Sequence, residues 1–270
     1  MARDFNAIDL MRPVWKYAAA GAVLLLAAVL LMFLDIRSAE VSGQWTCKGV
    51  KVEFADQGNL SFVTESDVKD YIIRDCGPWQ GKSLEEIDLT GIEKCLDSKS
   101  AILSSEAYVT TDGILHLMIS QREPVVRFVT RSGGWYADSE GFVFPVQKNY
   151  TSRVLIIDGN VPLKLSNNYK GFPKTESERR WVDGILALTD YISSSRQWRE
   201  FVGQIHIDAS GKIVLVPRSG DVKFIFGRPE EFDRKFGKIE DYYKYIAPAK
   251  GEKYYSSVNV SFGGQIVCRK

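Results

Sequence analysis

Histidine is nearly absent from this chain: 270 residues hold two, His116 and His206. Each lies in an alternating stretch with apolar neighbours, where a lone histidine is far more often packed or surface-exposed than a ligand or a base. The four cysteines (Cys47, Cys76, Cys95 and Cys268) contain no C-x-x-C pair and no zinc spacing. H-E-x-x-H, G-x-S-x-G and the phosphate-binding P-loop are also missing. A charge surplus is lacking too, with 35 basic side chains against 34 acidic, so the chain carries no electrostatic footprint for nucleic acid. The remaining polar groupings read as ordinary surface. Asp138-Ser139-Glu140-Gly141 sets a hydroxyl beside two carboxylates, but these residue types each favour a turn between strands. Glu85 and Glu86 read as a helix start, Arg179 and Arg180 as a solvated face. No set of residues converges with definable catalytic roles. The expectation is a protein that is not an enzyme, with no cofactor and no metal.

What the chain does have is one long apolar run. Tyr17 to Leu34 is 18 consecutive residues without a charge. As a helix it would reach roughly 27 Å, near the ~30 Å of a bilayer's hydrocarbon core. A cleavable signal peptide fits less well, because cleavage after Ala39 would place Arg37 where a small residue is needed. An uncleaved, single-pass anchor is therefore expected at residues 17–34, after a tail at 1–16 and before a linker at 35–46. Charge orients it only mildly. Arg12 and Lys16 crowd the leading end, while Arg37, Lys48 and Lys51 lie beyond the run, so the bias towards a cytoplasmic N-terminus is weak.

Beyond the anchor, about 230 residues suffice for one large or two small domains. Val50, Val52 and Phe54 alternate as in a half-buried strand. Thr64 can cap a helix carrying Val68, Tyr71 and Ile72, which Cys76-Gly77-Pro78 ends. Asp88 caps a second helix with Ile92 and Leu96 on one face. Two strands, Ala107–Thr111 and Ile114–Gln121, flank Asp112-Gly113, a strong hairpin signal. Cys76 and Cys95 are a candidate disulfide if their helices pack together; a set of free thiols is the other reading.

The order β-α-α-β-β over residues 47–123 resembles a POTRA domain, and the residues from 121 onward narrow the resemblance. Gln121-Arg122-Glu123-Pro124-Val125-Val126-Arg127 is similar to the QR-P-V-R signature that closes this domain in the bacterial cell-division family FtsQ/DivIB. Trp135-Tyr136-Ala137-Asp138-Ser139-Glu140-Gly141-Phe142-Val143-Phe144-Pro145 is similar to the family's Y-x-D-x-x-G-x-x-x-P segment. Arg153-Val154-Leu155-Ile156-Ile157-Asp158-Gly159 is similar to its R-V-P-x-x-x-G strand, with Leu155 in place of proline. The resemblance implies a second, β-rich domain over 124–270.

The residues support that domain independently. Thr175-Glu176-Ser177-Glu178 forms a capping box before a helix with an apolar stripe at Trp181, Ile185, Leu188 and Ile192. Three strands come next as an antiparallel meander: Gln204–Asp208, Lys212–Pro217 and Val222–Phe226. Pro229 precedes another helix, expected to bury Phe232, Phe236, Ile239, Tyr243 and Ile246. Tyr254–Phe262 then alternates, Gly263-Gly264 interrupts it, and Gln265–Cys268 resumes. The expected fold class is α+β, with an antiparallel C-terminal β domain and flanking helices.

A tethered chain without catalytic residues is expected to bind other proteins, and an unpaired strand edge is one device for doing so. The resemblance implies the same. In FtsQ-like proteins the end of the β domain takes up a segment of FtsB, itself paired with FtsL, and so reaches the septal synthase FtsW–FtsI. The POTRA domain is associated with FtsK. Val258-Asn259-Val260-Ser261-Phe262 corresponds to the family's V-D-L-R-Y strand, with Asn259 and Ser261 replacing an acid and a base. The expected partner-binding residues are Tyr254, Tyr255, Val258, Val260 and Phe262. The rings of these residues filling the core is the competing reading. The resemblance further implies inner-membrane placement at the division septum, with the C-terminal domain periplasmic. The alternative is a POTRA-bearing envelope protein that assists export or outer-membrane assembly.

Overall fold

A computed structural model describes residues 20–32, 46–55, 60–147, 150–166, 168–251 and 253–270. Residues 20–32 form helix α1, whose apolar side chains are bare, Leu24 and Leu26 each at 71% exposure. Thirteen residues rise about 20 Å, and among the described residues no helix is long and apolar enough to cross a membrane. The rest of the expected span, its tail and most of its linker lie outside the described residues.

The next unit runs β1 (Gly49–Phe54), α2 (Glu65–Asp75), a single 3-10 turn (Leu84–Glu86), α3 (Leu89–Asp97), β2 (Ile102–Val109) and β3 (Ile114–Gln121). This is the expected β-α-α-β-β order. α2 starts where Thr64 and Asp67 cap each other reciprocally, and α3 where Asp88 accepts from the Gly91 N–H. Val68, Ile72, Ile92 and Leu96 face one core with Leu115, Leu117 and Ile119 of the central strand, in the sheet order β1-β3-β2. Only glycine suits position 113: φ is 85°, and a Cβ there would meet the Thr46 carbonyl oxygen at 2.6 Å. Cys76 and Cys95 are disulfide-bonded across the two helices, with Cα atoms 5.6 Å apart, whereas Cys47 and Cys268 are free.

The larger sheet has nine strands: β4 (Pro124–Thr130), β5 (Gly133–Asp138), β6 (Val143–Pro145), β7 (Leu155–Gly159), β8 (Val202–Ile207), β9 (Ile213–Pro217), β10 (Lys223–Gly227), β11 (Ser257–Asn259) and β12 (Val267–Arg269). Their spatial order is β12-β11-β10-β9-β8-β7-β4-β5-β6. The expected β8–β9–β10 meander is present, but the sheet as a whole is mixed, which corrects the antiparallel expectation. β4, β7 and β8 run parallel, as do β10 and β11. Helices make this possible, because parallel neighbours need long crossovers. α4 (Glu176–Ser194) and α5 (Arg196–Phe201) join β7 to β8. α6 (Phe232–Asp241), a π-helical segment (Tyr242–Ile246) and α7 (Ala247–Lys250) join β10 to β11.

α4 begins at the expected capping box of Thr175 and Glu178 and buries Val182, Ile185, Leu188 and Ile192 against the sheet. α6 departs from the expected periodicity. Tyr242, three residues after Ile239, is fully buried and Tyr243 is exposed, and the π turn that starts there moves the next buried position from the expected Ile246 to Ala247.

The two sheets share their packing. Tyr136 of β5 and Phe144 of β6 belong to the core of the first unit, with Phe62 edge-on to Tyr136 at 5.5 Å and to Phe144 at 6.3 Å. Beside them Arg122 donates to Asp138 at 2.8 Å, and its guanidinium lies 3.6 Å from the Phe142 ring centroid. Asp138 Oδ1 also accepts the Glu140 and Phe142 N–H groups, so the expected turn is held by its own first residue.

Candidate partner-binding surface

The C-terminal end of the larger sheet is fixed by its ladder. The Lys223 N–H donates to Ser256 O, and the Val260 N–H donates to Ile225 O, each at 3.0 Å. Val258 therefore turns its backbone groups towards β10, and alternation turns those of Ser257 and Asn259 towards β12. Their partners in register are Arg269 and Val267. The intervening residue, Cys268, is left with its N–H and C=O directed away from the sheet.

β11 is therefore flanked on both sides, and β12 is the edge. Val258 and Val260 are at 0% exposure, with side chains in the core. Tyr255 is half-buried against that core. Tyr254 and Phe262 stand out at 41% and 46% exposure. Tyr254 packs edge-on to Tyr255 at 4.8 Å, with the Lys270 ammonium 4.4 Å from its ring centroid.

The turn from β11 to β12 is held by cations that sequence reasoning missed. From α6, Arg234 donates to Phe262 O at 2.6 Å, and Lys238 donates to Gly263 O at 2.9 Å and Gln265 O at 3.2 Å. Lys238 also donates to Phe262 O. Glu231 pairs with Arg234 at 2.6 Å and steers it, and the guanidinium holds the Glu231 carboxyl below its usual range. Burial, together with the nearby Arg234 charge, pushes the Lys238 ammonium down. The Asn259 side chain accepts from the Ser261 N–H at 2.9 Å, and Gly227 at φ 81° leaves room for Ser261, whose Cβ would sit 2.9 Å from an added Cβ. A sequence signal for the edge existed: alternation that resumes after Gly263-Gly264 marks a returning strand.

Two of the other sheet edges, β6 and β2, are partly closed. On β6, Val143 and Gly171 exchange hydrogen bonds at 3.0 and 2.9 Å. On β2, the Ala107 N–H is taken by Glu93 Oε1 at 2.9 Å. The two histidines are otherwise engaged. His116 stacks on Tyr108 with ring centroids 4.9 Å apart, and His206 Nδ1 lies 2.7 Å from Asp158 Oδ1. Among the described residues no three His, Cys, Asp or Glu side chains gather as a metal site.

Residues 123–269, more than half of the chain, match the family described as FtsQ/DivIB, C-terminal related. The chain belongs to the FtsQ/DivIB family. Residues 45–120 match the POTRA-like domain, so the two modules stand in the order the sequence motifs imply. No curated protein matches the chain. FtsQ/DivIB and POTRA families are generally non-enzymatic scaffolds, and FtsQ/DivIB membership associates the chain with the cell-division complex.

Proposed function

We propose that this chain is a non-enzymatic, bitopic scaffold of bacterial cell division that adds a strand of an FtsB-like partner to the outer edge of β12. The carrying observation is the outward Cys268 N–H and C=O on a strand whose turn is already clamped by Arg234 and Lys238. A partner strand would satisfy these groups by β-augmentation, with Tyr254 and Phe262 as exposed aromatic anchors. Tyr255, Val258 and Val260 would support that surface from beneath. Through an FtsL-like protein paired with the FtsB-like one, the scaffold would reach FtsW–FtsI, with FtsK as a further partner of the POTRA domain. A single span over residues 17–34 would anchor it in the inner membrane at the septum, with the globular part periplasmic. The bare apolar faces of α1 support that reading, since lipid would cover them.

The test is capture of the FtsB-like partner by the full chain. Proline at an edge position removes an outward donor without disturbing the inner ladder. Cys268→Pro is expected to weaken capture about tenfold, the loss of one interfacial hydrogen bond and the orphaning of its acceptor. Cys268→Ala, which keeps the N–H, should retain capture. Equal capture by both variants, with unchanged circular dichroism, overturns the edge reading.

A further inference from the structure

At the end of the larger sheet where β4, β7 and β8 begin, a cavity of about 770 Å³ opens beneath the C-terminal half of α4. That size falls within the roughly 300–1,000 Å³ of sites that enclose a ligand group. Leu155, Leu186, Ile192 and Val202 give it an apolar lining. Both strands that flank β7 are bulged at this level, β4 between Pro124 and Val126 and β8 between Val202 and Gln204. Bulges end pairing and re-aim side chains, which is why they collect beside functional sites. Gly203, inside the second bulge, lines the cavity where a Cβ would meet the Arg218 Cα at 3.2 Å.

The polar lining is lopsided. Arg153, Arg199 and Arg218 face a single carboxylate, Asp190, and among the described residues none of the four joins an ion pair. Arg199 and Arg218 each spend one N–H on a backbone carbonyl at 3.3 Å, which orients the guanidinium and leaves its other donors free. Thr189, on the wall, is 7% exposed, and its buried hydroxyl has no hydrogen-bond partner. A threonine inside a helix ordinarily bonds back to a carbonyl of the preceding turn. A cavity with an apolar lining, unneutralised arginines and an unsatisfied hydroxyl is complementary to an occupant that is apolar and anionic at once.

We propose that this cavity is a second docking site, for a partner-protein segment that sets a carboxylate side chain beside a bulky apolar one. The apolar group fills the cavity, the carboxylate takes the arginine forks, and Thr189 supplies a further hydrogen bond. The proposal rests on the scaffold reading only in taking the occupant to be protein. β8 stands four strands from β12, about 19 Å at the spacing of paired strands, so the site is separate from the edge.

Calorimetric titration of the full chain in detergent tests it, with an acetylated, amidated hexapeptide alternating glutamate and leucine as the probe. Binding is expected, and no binding of a lysine–leucine counterpart. Arg153→Gln with Arg218→Gln should weaken binding about tenfold, and the corresponding glutamate pair should abolish it. Cys268→Pro should leave it unchanged, which separates this site from the β12 edge. Thr189→Val should raise the Tm, since it removes an unsatisfied hydroxyl, yet weaken the peptide several-fold; a purely structural threonine would raise the Tm alone. No binding to the natural chain, or equal binding by the charge-altered variants with unchanged circular dichroism, overturns the proposal. A charge-dependent response to soluble short-chain phosphatidylglycerol without one to the peptide overturns the protein assignment.

Discussion

Arg122→Met should destabilise the whole globular region rather than one sheet. Arg122 and Asp138 retain only 11% and 7% side-chain exposure, and their 2.8 Å bond links the end of the first unit to β5. Methionine keeps most of the apolar stem but removes the charge, leaving Asp138 Oδ2 without its arginine. Breaking a buried pair from one side costs about 3–5 kcal/mol, because the surviving charge is stranded. The lower end applies here, since Oδ1 keeps the Glu140 and Phe142 N–H groups. Loss of the stacking on Phe142 adds about 0.5–2 kcal/mol, so the sum is roughly 4 kcal/mol. Urea denaturation monitored by tryptophan fluorescence measures it. Because Tyr136 and Phe144 belong to the first unit's core, one transition is expected at a lower midpoint with an unchanged slope. Arg122→Met with Asp138→Asn removes the stranded charge while an amide oxygen still accepts the two N–H groups. The double variant should therefore recover about 2 kcal/mol of the loss. A single-variant cost below about 1 kcal/mol, or a double variant no more stable than the single, refutes the reasoning.

Two individual contacts give further expected outcomes. Cys76→Ser with Cys95→Ser opens a loop whose ends are 19 residues apart, and the chain-entropy relation puts the cost at about 3 kcal/mol, measured by denaturation without reductant. Tyr191 donates to Asp233 at 2.7 Å, and burial first, then that carboxylate, pushes its phenol up to about 12. A phenol whose folded pKa is raised stabilises the fold fully below its ordinary value of 10.0 and loses that contribution as pH climbs towards about 12. In an absorbance titration at the phenolate band, the tyrosine removed by Tyr191→Phe should be a late-titrating one, and Asp233→Asn should advance it only partly, because burial persists. Full return to the ordinary value would contradict that ranking of causes.

Local chemistry was readable from the sequence wherever a residue acts on its own neighbours. Thr64, Asp88 and Thr175 cap the helices they precede, and Asp112-Gly113 turns its hairpin, because each needs nothing further away. Pairing was less legible. Alternation from Tyr254 to Phe262 announces a strand but does not say which strands flank it, so the open edge lies one strand beyond the segment that alternates. The mixed sheet escaped for the same reason, since only the path of α4 and α6 decides which strands meet. Tyr243 was expected inside because a four-residue step was taken from Ile239 where the helix buries the third residue on, and Ile246 because a period of 3.6 was carried through a turn that is π-helical. The first half of β2 was missed because Ser104, Ser105 and Glu106 lack apolar alternation, and the bulge after Ile102 breaks its register. Arg234 and Lys238 resemble solvated helix residues until the carbonyls they hold are brought beside them from more than twenty residues away.

The aromatic residues owned jointly by the two sheets carry a mechanical consequence. Two bodies joined by a free linker would let the distal edge swing, and the distance from the start of β1 to β12 would be a thermal average. Here Tyr136 and Phe144 cannot leave the first unit's core without unfolding the second unit's margin, and Arg122 bolts the seam. That distance becomes a fixed dimension of the molecule. Whatever is seated on β12 is held at a set offset from the point where the chain enters the domain, much as a gauge block holds a workpiece.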